Sequence, residues 1–324
     1  MTGELGCRTK RRAWNLPKPF HLAKKEFNFP VIIFASFSFN ICAINYMRQI
    51  KIIYVFKKVI LPIIFIVNSF QSVGQTSRTF FDSAVSKDNG RDTSEALKYY
   101  NKVIALDSTM WQAYYNRGRL KNNCKDYSGA IIDFTKAAEL NPKYQDAYYN
   151  RGNAKRELGD LHGAVSDYSK AIEIFPTDAA FYINRGIVKN NLKEFADAVG
   201  DFNKAITLDS TIATAYHNRG NARFGLKQYS LAIPDYNKAI EINPNDARFF
   251  YARGLSKDAL KNHRGAVDDY NLAIELNPSY GHCYDSRGFA RLQAGDKKGG
   301  CSDLSKACQL GVTSACNSVK MMCK

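Results

Sequence analysis

Four cysteines near the C-terminus offer the most reactive chemistry in this chain: Cys301 and Cys308 stand seven residues apart, as do Cys316 and Cys323. On a helix that spacing puts each pair on one face, about 10.5 Å apart. An antiparallel hairpin turning near Gly311-Val312 would set Cys308 opposite Cys316 and Cys301 opposite Cys323. Facing thiols either oxidise in pairs or hold a metal, and a zinc site is the competitor here, although the short Cys-x2-Cys knuckle is missing. Cys124 and Cys283 have no assigned partner.

A second pattern is ionic. Arginine recurs every 34 residues at Arg117, Arg151, Arg185, Arg219, Arg253 and Arg287, and a second cation follows each four residues later, at Lys121, Lys155, Lys189, Arg223, Lys257 and Arg291. Cations at i and i+4 of one helix repel by a few tenths of a kcal/mol, so an anion should offset them. The matching anionic column is Asp133, Asp167, Asp201, Asp235, Asp269 and Asp303, which predicts ion pairs between packed helices. A basic stripe for acidic ligands is the alternative. The histidines His21, His162, His217, His263 and His282 include no i, i+4 pair and no HExxH spacing. Gly295 to Gly300 lies between two helical patterns without the preceding strand of a phosphate loop, and no nucleophile elbow is present. These residues point away from an enzyme, and no cofactor, metal or small-molecule substrate is expected.

The elements that position these columns follow from the period. With the common glycine at slot 8, copies start at 111, 145, 179, 213, 247 and 281. Slot 4 is always Tyr or Phe, slot 20 is Ala or Gly, slot 24 is aromatic or Leu, and slot 27 is always Ala. Small residues at 8, 20 and 27 allow close helix approach, and the aromatics fill the space left. Pro142, Pro176, Pro244 and Pro278 at slot 32 stop the second helix. A weaker seventh copy spans 77–110, with Phe80, Ala84, Ala96, Tyr100 and Val103 in the same slots. It lacks both ionic partners, with Ser83 in the arginine slot and Tyr99 in the aspartate slot.

This pattern resembles the tetratricopeptide repeat, with its Tyr and Ala-x3-Phe signals and helix-ending proline. The resemblance implies an all-α fold, a right-handed α-solenoid of seven helix-turn-helix repeats (77–110, 111–144, 145–178, 179–212, 213–246, 247–280 and 281–314). The Tyr-Tyr-Asn-Arg-Gly-Asn-Ala style of repeat at 148–154 is similar to exported bacterial members. Lys306-Ala307-Cys308 to Ala315-Cys316 resembles the cysteine-rich SEL-type repeats, and that resemblance implies disulfides Cys308–Cys316 and Cys301–Cys323. Residues 315–324 then form the terminal capping helix that an open stack needs.

In this family the first helices line the concave face, and slots 2, 5, 6, 9, 12 and 13 meet ligands. The resemblance therefore marks Tyr115, Asn116, Arg119, Tyr149, Asn150, Asn153, Asn184, His217, Asn218 and Asn221 as partner-binding candidates. The asparagines at slot 6 either hydrogen-bond the backbone of an extended peptide or satisfy backbone groups locally. The carboxylate-clamp subtype does not fit, because slot 5 is never lysine. The expected function is a non-catalytic scaffold for a protein or extended peptide; a membrane-anchored structural or assembly subunit of a cell-envelope complex is the alternative.

The net charge is +16, but eleven of the 46 Lys and Arg residues lie within the first 76 positions against only Glu4 and Glu26. The rest is mildly basic and mixed in sign, which argues against nucleic acid. Two apolar stretches, Phe29 to Tyr46 and Ile52 to Phe70, precede the repeats. Lys57 and Lys58 would each cost about 2.5–3.5 kcal/mol in mid-membrane. Read from Met47, a basic n-region, an apolar stretch from Val59 to Val67 and the small-residue exit Ser72-Val73-Gly74 have the layout of a signal peptide over 47–74. Translation starting at Met47 would make 1–46 an upstream extension; starting at Met1, Phe29 to Tyr46 becomes an anchoring helix, the membrane contact. Export to a periplasm or cell surface would supply the oxidising compartment that disulfides need.

Overall fold

The computed structural model describes residues 54–323. The segment 1–46, most of the basic n-region with Met47, Arg48 and Lys51, and Lys324 lie outside them, as do Cys7 and Cys42. The described residues are helical with short turns and contain no strand. They divide between Asp126 and Tyr127 into two compact units.

In the first unit a π-helical turn, Phe56–Ile60, runs into α1 (Leu61–Asn89), followed by α2 (Thr93–Leu106) and α3 (Trp111–Asn123). The repeat boundary expected at 77 is not a helix start, because α1 passes unbroken through Ser72-Val73-Gly74. Gly74 is the only glycine before the helix ends, and one interior glycine costs about 1 kcal/mol, which a long helix tolerates. Asp92 caps α2 by accepting from the Glu95 amide at 3.2 Å. Ala84, Ala96, Tyr100, Val103, Ala113 and Leu120 form the core of this unit.

The second unit alternates fourteen- and thirteen-residue helices from α4 to α13: α4 (Tyr127–Leu140), α5 (Gln145–Glu157), α6 (Leu161–Ile174), α7 (Ala179–Asn191), α8 (Phe195–Leu208), α9 (Ala213–Gly225), α10 (Tyr229–Ile242), α11 (Ala247–Ala259), α12 (His263–Leu276) and α13 (Gly281–Gln293); the thirteen-residue α14 (Lys297–Gln309) and the shorter α15 (Thr313–Met322) follow. Successive helices pack as antiparallel pairs, the arrangement the period requires.

Within a repeat the first helix is called A and the second B, and each A helix stops where slot 15 turns left-handed. Gly159 and Gly295 adopt φ +82° and +91°, and Lys193, Lys227 and Lys261 accept φ of 61–66° in the same place. A non-glycine residue there is strained by about 1–2 kcal/mol. The next residue often caps the B helix: Asp160, Asn262 and Asp296 accept from the amides of Gly163, Gly265 and Gly299.

The glycine at slot 8 lies beneath the side chain at slot 24. A Cβ on Gly220 would stand 2.6 Å from the Tyr236 ring, and one on Gly186 would stand 2.8 Å from Phe202. The alanines at slots 20 and 27 are fully buried beside them. Gly220→Ala gains helix propensity worth about 1 kcal/mol but overpacks the contact by about 1–3 kcal/mol. Thermal denaturation should therefore show Gly220→Ala to be net destabilised, whereas Gly200→Ala, with open space around its Cβ, should be stabilised.

Candidate functional site

The ionic column is an internal fastening. Arg151 donates from Nε and Nη2 to the two oxygens of Asp167 at 2.9 and 2.6 Å. Lys155 meets Asp167 Oδ2 at 2.9 Å. The remaining guanidinium nitrogen, Nη1, donates 3.1 Å to Thr135 on the preceding B helix. One arginine thus joins three helices. The same unit recurs with Arg185, Asp201 and Lys189, with Arg219, Asp235 and Arg223, with Arg253, Asp269 and Lys257, and with Arg287, Asp303 and Arg291. Its backward donor bonds reach Ser169, Asn203, Asn237 and Asn271.

The five aspartate side chains are 2–6% exposed. Each guanidinium also lies 5.3–5.8 Å from the ring three residues earlier, from Tyr148 to Tyr284. The Asp167 hydrogen bond raises the Arg151 pKa above its ordinary value. Arg117 sits in the first unit, donating to Asn101 at 2.6 Å. Asp133 belongs to the second and is fully buried. The sequence pattern missed one member, the polar acceptor supplied by slot 25, and did not show that the second cation shares the aspartate with the arginine. Both recur at the same period, which was the available signal.

On the A helices, Tyr115, Asn116 and Arg119 are half-buried on α3, and Arg119 pairs with Asp88 of α1. In the second unit the asparagine row is mostly engaged. Asn150 donates 2.9 Å to the Asp146 carbonyl. Asn184 donates to Ala180 O at 2.9 Å and to the Tyr149 hydroxyl at 2.8 Å, while accepting from Arg156. Asn153 accepts from Tyr168.

The slot 5 rings are joints between repeats, not free contact area. Tyr149 packs 5.8 Å from Tyr168 and 4.9 Å from Phe181 of the next repeat. His217 repeats this between Tyr236 and Phe249 at 5.8 and 4.9 Å. Tyr236 donates to Asn221 Oδ1 at 2.9 Å, so Asn221 turns its Nδ2 toward His217 Nε2, 3.1 Å away. His217 Nε2 is then the acceptor, and in the neutral ring Nδ1 carries the proton. Burial, with Arg248 adding to it and Asp246 opposing, pushes the His217 pKa down to about 4.

Cys301 is bonded to Cys323 and Cys308 to Cys316, which ties α15 to α14. Cys283 is buried, its thiol directed at the Tyr270 carbonyl, and burial pushes its pKa up to about 12. Cys124 is half-buried. Among the described residues no cluster of His, Cys, Asp and Glu could hold a metal ion.

Comparison with known proteins agrees with this architecture. Residues 146–178 and 213–246 match one tetratricopeptide repeat model, and 112–144 and 247–280 match another. These segments are tetratricopeptide repeats. No curated protein matches the chain. Among solved structures, the C-terminal part of a repeat-containing protein from Cytophaga hutchinsonii aligns with TM-score 0.60 and 19% identity over 74% of this chain and 99% of its own. A tetratricopeptide repeat protein from Parabacteroides merdae aligns with TM-score 0.59 and 18% identity over 77% of this chain and all of its own. YrrB, described as having an unusual peptide-binding site, aligns with TM-score 0.51 and 21% identity over 57% of this chain and 95% of its own. At these identities the likeness establishes the fold.

Two measurements test this geometry. Asp201→Ala leaves Arg185 and Lys189 without their shared anion and should cost about 3–5 kcal/mol, far more than Lys170→Ala in an exposed pair; equilibrium denaturation compares them. For His217, the depressed folded pKa means that from pH about 6.5 to about 4 the unfolded chain takes up a proton the folded chain refuses. Stability should fall through that window by up to about 3 kcal/mol from this group, and melting temperatures of His217→Gln should fall less steeply over it.

Proposed function

We propose that this chain is a non-catalytic scaffold that binds an extended peptide or protein segment on the A-helix face of its tetratricopeptide repeats. The supporting observation is the division of labour within each repeat. Slots 7, 11 and 23 fasten the helices within each repeat, whereas slots 5, 6 and 9 carry rings and amides, several of them bonded between neighbouring repeats, along successive A helices. Such residues suit recognition of a main chain. YrrB, which shares the fold, is described as a peptide binder. Tetratricopeptide repeats generally serve protein interaction.

Export through the 47–74 segment, to a periplasm or cell surface, is part of this reading, supported by the paired C-terminal cysteines. One observation favours an anchored assembly subunit instead: Tyr54, Val55, Val59, Ile63 and Ile64 are 44–57% exposed on the leading helical segment. No described helix is long and apolar enough to cross a membrane. Affinity capture of the native protein, with mass spectrometry of the captured material and of its own N-terminus, tests both parts. The expected result is a protein partner and a mature start after residue 74; a peptide from Thr2 to Arg48 would overturn export by the 47–74 segment, and the absence of any protein partner would overturn the scaffold reading.

A further inference from the structure

The two edges of the second unit differ in charge. Its A helices run side by side in one direction, so the turns from A to B lie along one edge and the turns from B to A along the other. From the turn between α9 and α10 onward, the A-to-B edge carries Lys227, Lys261, Arg264, Lys297, Lys298 and Lys320, all exposed and unpaired among the described residues. The acids on that edge are already engaged. Asp258 meets His263 Nδ1 at 2.6 Å, and Asp296 accepts from the Gly299 amide at 2.8 Å. The opposite edge of the same repeats holds Glu241, Asp246 and Glu275, with Lys238 and Arg248 tied to the first two.

Exposed aliphatic side chains share the cationic edge. Leu226 and Leu260 cap the C-terminal ends of α9 and α11 and are 37% and 46% exposed, while Met321 and Met322 at the end of α15 are 73% and 41% exposed. The Cys301–Cys323 bond holds that end of α15 against the beginning of α14, the helix that Lys297 and Lys298 open. Two of the lysines are kept in place against backbone preference. Lys227 and Lys261 adopt φ of 61° and 66°, where glycine is unstrained and where Gly295 serves in the next repeat. A side chain retained in a strained turn points to a use for it.

We infer that this edge of the second unit, from Leu226 to Met322, is a docking surface for an anionic lipid bilayer. Leucine followed by lysine in successive turns, with two methionines and further cations at the end of the row, suits a headgroup boundary: the aliphatic chains enter it and the ammonium groups meet lipid phosphates. The long lysine side chains lay their stems along the apolar layer and keep their charges in the polar one. A solvated acidic protein would satisfy the cations alone, and the interleaved aliphatic side chains favour the bilayer. The surface is distinct from the A-helix face proposed for peptides, and it serves whether the 47–74 leader is kept or removed.

The test mixes the full chain with vesicles of phosphatidylcholine alone or of an equal mixture with phosphatidylglycerol. Amide hydrogen exchange in residues 226–228, 260–262 and 320–322 should slow at least threefold with the anionic vesicles and stay unchanged with the neutral ones, a local readout that membrane contact through the leader does not move. Lys227→Gly combined with Lys261→Gly removes two charges and relieves both turns. Its melting temperature should hold or rise, while the anionic vesicle concentration needed for half-protection should rise at least tenfold. Lys170→Gln combined with Lys238→Gln removes the same charge from the Lys–Glu pairs of the B helices and should behave as wild type. No slowing with anionic vesicles, equal slowing with neutral ones, or slowing that the glycine pair leaves unchanged overturns the proposal. Slowing by polyglutamate in place of vesicles also overturns it, and assigns the edge to an acidic polymer.

Discussion

The buried aspartate that recurs on five successive B helices, from Asp167 to Asp303, is the constraint on which this structure depends. A carboxylate removed from water carries a desolvation cost of several kcal/mol, which only close, well-directed cations repay. Here each carboxylate receives two, an arginine that grips both oxygens or one of them twice, and a second cation one helical turn along. The arginine is in turn fixed by an aromatic ring beneath it and by an acceptor on the preceding B helix. Register between helices is therefore specified electrostatically as well as sterically. A one-residue slip would bury a charge without partners, so the period admits no insertion.

That fastening separates the two faces of the repeat. Because slots 7, 11 and 23 hold the helices of each repeat together, slot 5 varies along the array without disturbing that fastening: Tyr149, Ile183, His217, Tyr251 and Asp285 occupy the same place in five successive repeats. The steric contact of Gly220 against Tyr236 and the ionic contact of Arg219 with Asp235 stay constant while the neighbouring His217 does not.

Much of this was legible in the sequence because it is periodic. The helix pairs, the glycine under the slot 24 side chain and the arginine–aspartate register follow from residues spaced by a multiple of the repeat. The opposed cysteines follow from their symmetry about a turn. The asparagine row was not legible, because the fate of a carboxamide depends on neighbours 28 and 35 residues away that differ from step to step. Asn184 is captured by Tyr149 and Arg156, whereas Asn218, an identical residue in an identical slot, faces Ile183 and is not. The length of the first helix was not legible for a related reason: no residue between Leu61 and Asn89 is incompatible with helix, so the period marks where packing begins, not where the helix does.

The two disulfides that join α15 to α14 have a consequence for how such an array comes apart. Stacked repeats hold mainly to their neighbours, so an open stack loses structure from its ends inward, one helix at a time. Covalent rungs make the terminal helix unable to peel away by itself. Unravelling from the C-terminal side must then release the whole of α14 and α15 together, which turns a gradual loss into an all-or-none event and gives the array a direction along which it resists pulling.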